Sequence, residues 1–202
     1  MIVIGYYICK FSDCPSYLGM KSDHFISASE CLSDHEPQLF LCHGWTPNGD
    51  DETYIRYFPT REIYLKMSGE INELFRKKMF FEDGRFLRKE DALYFYHKYY
   101  DDSDHMLISV STLPAYRSSL GNAIISEDQD EEGEYLGNDL IGWEFSGFHS
   151  FLCNSLQEEF PQIEFNNYGL INDAFEVVIK MAEQIQGMGE PVDWIPVKIH
   201  RL

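Results

Sequence analysis

The chain has 202 residues, of which 44% are hydrophobic and 15% aromatic, enough for one sizeable core and too apolar for wholesale disorder. Its 34 acidic residues against 16 lysines and arginines give a formal net charge of −18. Such a field repels phosphate backbones and anionic lipid, so it argues against nucleic-acid and membrane-surface roles and favours encounter with a basic protein.

Five widely spaced cysteines, Cys9, Cys14, Cys31, Cys42 and Cys153, are an odd number in a chain too large to need a disulfide framework. They read as reduced thiols. No apolar run approaches the roughly 18 to 20 residues that span a bilayer. The opening "MIVIGYYICK" lacks the basic segment and cleavage pattern of a signal peptide, and the expected compartment is the cytoplasm.

Residues 2 to 9 are β-branched and aromatic and predict a buried first strand, followed by a polar loop from Ser12 to Asp23. "QLFLCHGW" and "TYIRYF" flank Asn48-Gly49 and predict a hairpin. In "REIYLKMSGEINELFRKKM" strand alternation competes with helical spacing, and Ser68-Gly69 places the helix start at Ser68, with a helix over 69–78. A second helix is predicted in "RKEDALYFYHKYY" and a strand over 105–113 that Pro114 stops. The acidic loop at 126–137 separates this longer part from a strand, helix, strand, helix, strand series. In that series "HSFLCNSLQEEF" reads as a helix, Asn172 as the cap of the last helix, and "PVDWIPVKIHRL" as an edge strand because Pro196 lacks a ladder donor. The fold class that follows is α+β, a single domain with a mixed or mostly antiparallel sheet and three to four packing helices.

Three constellations carry possible chemistry. His149 and Cys153 lie four residues apart in "GWEFSGFHSFLCN", the spacing of one helical face, where an imidazole beside a thiol could activate it. The flanking Phe148, Phe151, Leu152 and Leu156 make the cysteine read instead as a small core residue, with Trp143, Glu144, His149 and Asn154 left as a polar surface cluster. His24, Cys31, His35, Cys42 and His43 fall close together, but without the paired C-x2-C spacing of structural zinc. "DQDEEGEYLGND" imitates a calcium loop with Gly133 sixth and Asp139 twelfth, departing from that pattern at Glu132 and Asp139. No phosphate loop, dinucleotide fingerprint, nucleophile elbow or H-E-x-x-H occurs, so neither cofactor nor metal is expected.

The acidic α+β pattern resembles bacterial immunity proteins that neutralise polymorphic toxins, and "LIGWEFSGFHSFLCN", "FNNYGL" and "EPVDWIP" resemble the C-terminal part of small bacterial proteins. The resemblance implies a cytosolic domain that blocks a toxin by binding it, and it assigns no functional residue. The leading expectation is therefore binding to a basic protein. Contacts are expected from Glu127, Asp128, Asp130, Glu131, Glu132, Glu134 and Tyr135, and from Asp50, Asp51 and Glu52 with Trp45 nearby. An enzyme using Cys153 and His149, or a self-associating structural protein, is the alternative, and nothing in the pattern specifies an oligomeric state.

Overall fold

The computed structural model describes residues 1–20, 22, 24–29, 31–33, 35–36, 60–81, 83–126, 133–144 and 147–202. The predicted hairpin between residues 38 and 58 and the acidic residues 127–132 lie outside them. β-Branched and aromatic runs form β1 (Ile2–Lys10), β2 (His105–Thr112), β3 (Glu134–Glu144), β4 (Gly147–Ser150) and β5 (Trp194–Arg201). They make one five-stranded sheet in the order β1-β2-β5-β3-β4, with every pairing antiparallel. β5 sits between β2 and β3, so the sheet joins strands from before and after the acidic segment.

Side chains alternate between two covered faces, which explains why the strands are apolar almost throughout. On one face Val3, Tyr6, Ile8 and Leu107 meet α1 (Arg61–Arg76) and α2 (Lys89–Tyr99). Further along the same face Leu140 and Trp194 meet α3 (Phe175–Gln184). The opposite face presents Ile4, Tyr7, Ile108, Ile141 and Val197 to Ile26, Ala28, Leu120, Ala123 and Leu170, which come from connecting segments. Segment backbones also close the outer edge of β1: Phe86 exchanges hydrogen bonds with Tyr6, and Glu36 and Ser126 donate to Ile8 and Ile4.

Several local expectations are corrected. α1 begins at Arg61, because Thr60 accepts a hydrogen bond from the Ile63 backbone and caps it, and this leaves Ser68 and Gly69 inside the helix. The last helix starts after Ala174, without a side-chain cap from Asn172. β5 is central rather than an edge strand. Its pairing with β2 begins only at Lys198, so Pro196 lies past that ladder, and the Thr112 hydroxyl donates to the Pro196 carbonyl at 2.6 Å. "HSFLCNSLQEEF" is not a helix: Gly147–Ser150 pairs back on β3, and two short 3-10 turns follow, the first capped by Ser150.

The C-terminal motifs fix these joints. Asn166 accepts from the Tyr168 and Leu170 backbones and donates to the Leu136 carbonyl, pinning "FNNYGL" against β3. Gly169 takes φ +73°, and a Cβ there would lie 2.3 Å from the Phe25 ring. The buried Trp194 of "EPVDWIP" donates its indole hydrogen to the Met188 carbonyl, while Gln186 bonds both its backbone groups.

Candidate functional site

The acidic segment feeds directly into β3, and its described end is Glu134 and Tyr135. Glu134 stands across from Arg201 and Tyr135 across from His200 in the β3–β5 register. Tyr135 is 50% exposed, and its ring lies 5.5 Å from that of His200. Cross-strand partners share a face, so Tyr135 and His200 belong to the helix-covered side together with Ser109, Ser111 and Lys198, while Glu134 and Arg201, in line with Ile108, belong to the opposite face. A polar band thus runs over β2 and β5, between Leu107 beneath α1 and α2 and Trp194 beneath α3. Lys198 reaches out of it to the Phe175 ring of α3, 5.2 Å from the ring centre. At the open end of this band stands a half-exposed aromatic ring, a feature suited to anchoring a partner surface.

Of the predicted contacts, Tyr135 falls within this band, and Glu134 lies next to it on the opposite face of the sheet. Glu127, Asp128, Asp130, Glu131, Glu132, Trp45, Asp50, Asp51 and Glu52 lie outside the described residues.

The cysteine and histidine of "FHSFLC" do not share a helical face, since His149 is on a strand and Cys153 in the 3-10 turn after it. His149 is on β4, where its Nε2 lies 3.2 Å from Glu144 across the hairpin, while Trp143 is buried and donates to Asn122. Cys153 is bonded to Cys31, 122 residues away in sequence, so neither is the reduced thiol expected from cysteine counting. A disulfide sulfur is no nucleophile until it is reduced. Cys9 is buried and its thiol is pushed well above the usual range by desolvation. A non-reducing peptide map is expected to yield the Cys31–Cys153 cross-link and to leave Cys9 unlabelled in the native protein. Rapid native-state alkylation of Cys153 would contradict this and restore the thiol reading.

The metal readings come apart as well. His35 is buried, with its ring nitrogens 2.9 Å from the Ser27 carbonyl and 3.3 Å from the Asp83 carbonyl, and the His24 ring lies tilted against Phe11, 4.8 Å between centres. Cys42 and His43 lie outside the described residues, and among the described residues no group of three or more potential ligands gathers. The calcium imitation fails at its far end. From Glu134 onward the stretch is strand, and Asp139, its twelfth position, is buried with its carboxylate accepting from Ser27 and from its own neighbour Leu140.

Sequence reasoning missed a buried polar chain on the loop-covered side. Tyr7 donates to Asp83 at 3.1 Å, and Arg85 is fully buried with its Nε 3.5 Å from that carboxylate. The guanidinium lies against the rings of Phe81, Trp143 and Phe148, and its nitrogens have no hydrogen-bond acceptor among the described residues. A Cβ at Gly5 would come within 2.3 Å of the Arg85 side chain, so glycine is what lets that side chain cross β1. No spacing signal announces such partners.

No helix among the described residues is long and apolar enough to cross a membrane. Comparison with protein-family models, curated proteins and solved structures finds no match.

Proposed function

We propose that the chain is an acidic protein-binding domain whose partner is a basic protein, acting as an immunity protein that masks a toxin. The observation that carries this reading is Tyr135. It is a half-exposed aromatic side chain at the start of β3, reached straight from the run of acids at 127–134, in a chain of net charge −18. Acids of this density accelerate encounter with a cationic surface, and an aromatic anchor beside them supplies short-range affinity. The disulfide at Cys153 counts against the enzyme alternative. The proposed compartment is the cytoplasm, and the Cys31–Cys153 bond discriminates: finding it intact in protein taken directly from cells would point to an oxidising compartment instead.

The test compares the wild-type chain with a variant in which Glu127, Asp128, Asp130, Glu131, Glu132 and Glu134 are changed to their amides. Both are immobilised and exposed to the same lysate at low and moderate salt. The proposal predicts basic proteins that the wild type holds, that salt releases and that the variant fails to retain. Identical retention by the two chains would defeat it.

A further inference from the structure

A concavity lies between α1, the end of α2 and the adjoining ends of β1 and β2. It is a cleft of about 450 Å³. Its walls hold Ile63 and Met67 from α1 and Tyr99 and Tyr100 at the end of α2, an apolar lining with two phenol rings. Around this lining stand Lys10, Lys66, Lys98 and His105, an unusual share of cations for a chain that has 16 lysines and arginines against 34 acids.

The acids of the cleft are already engaged. Asp102 accepts from the His105 Nδ1 side at 2.7 Å and from the Asp104 backbone at 2.8 Å. Glu36 accepts the Tyr100 hydroxyl at 3.3 Å and stands 3.9 Å from His105 Nε2. Lys98 is held by both oxygens of Glu70, which also receives the Tyr99 hydroxyl. Burial pulls the His105 imidazole down, but hydrogen bonds and charge from Glu36 and Asp102 outweigh this and raise it overall, so the ring keeps its proton to higher pH than an ordinary histidine. Lys10 and Lys66 remain exposed at the mouth, and neither has an ion-pair partner among the described residues.

We propose that this cleft binds a small organic anion, a phosphate or carboxylate group carried on a flat apolar body. Lys10 and Lys66 take the anionic group, and Tyr99, Met67 and Ile63 take the body. Two uncommitted ammonium groups over an apolar lining match that chemistry: the charge fixes orientation while the lining supplies contact area. The cleft accommodates a single ring with its substituent, and Glu36, Asp102 and Glu70 hold the surrounding cations in place.

The probe is phenyl phosphate, titrated into the full chain at constant ionic strength and followed by the NMR signals of the His105 imidazole and the Tyr99 ring. Benzoate and phenol serve as companion ligands. Saturable binding of phenyl phosphate is expected, with no response to phenol, and with the double variant Lys10→Gln, Lys66→Gln weakening it about tenfold or more. Both lysines are exposed, so folding is preserved. Lys180→Gln, an exposed lysine of α3, is expected to leave binding unchanged and so separates the site from net charge. Saturable benzoate binding alongside would assign the site to anions generally, and its absence to phosphate. A non-saturating titration, or equal affinity in the double variant, would overturn the proposal.

Discussion

Arg85→Leu is expected to destabilise the protein by about 3–5 kcal/mol, the cost of removing one partner from a buried ion pair. The side chain is fully buried, lies over three aromatic rings and is the cation nearest Asp83. Without it the Asp83 carboxylate keeps its hydrogen bonds from Tyr7 and from the backbone of residue 85 but loses its countercharge. Burial already pushes Asp83 upward against the opposing pull of Arg85. Adding Asp83→Asn removes the stranded charge, so the double variant should recover most of the loss. Chemical denaturation of the four chains closes the cycle. A single-variant loss below about 1 kcal/mol would show that the guanidinium is not held in the interior.

Asp139 carries the second large effect. Burial raises its carboxyl from 3.8 to about 7, outweighing hydrogen bonds from Leu140, Ser27 and Ala28. Between the two values the folded chain binds a proton that the unfolded chain has released, so this group makes stability fall as pH rises from about 4 to about 7 and stay level above that. The span corresponds to a loss on the order of a few kcal/mol. Asp139→Asn removes that dependence. The difference in unfolding free energy between variant and wild type should therefore grow in the variant's favour from pH 4 to pH 7. A difference that does not change with pH would mean that the carboxyl titrates as an ordinary aspartate.

Both residues show where sequence reading ends. Strands β1 and β2 are legible because β-branched and aromatic runs have no competing pattern, and α2 because its apolar spacing is unambiguous. α1 is legible only in its second half: Ile63, Leu65 and Met67 alternate as in a strand, and the deciding cap is Thr60, outside the periodic stretch. "FHSFLC" carries helical spacing, yet the pairing of Glu144 with Gly147 turns it back as a strand. Pro196 suggests an edge, although the strand pairs on both sides and is central; the proline is tolerated because pairing with β2 stops before it.

The candidate site is less legible than the fold. Tyr135 is readable as an aromatic residue after an acidic run, but its neighbours His200, Ser109 and Lys198 join it only through sheet register. The Ser27–Asp139 bond spans 112 residues and the disulfide 122, distances over which a single sequence carries no pairing signal. Cysteine counting fails for the same reason, since an odd total leaves every pairing open.

The most direct measurement of the protein-binding reading is the association rate of a captured basic partner across ionic strength, for the wild type, for the variant with amides at positions 127–134 and for Tyr135→Ala. The account predicts a wild-type rate that falls steeply with salt and an amide variant that is slower and nearly salt-independent. It also predicts that Tyr135→Ala keeps the wild-type salt slope while dissociating faster, by about 2 kcal/mol in affinity. Rates that coincide for all three chains at every salt concentration would contradict it.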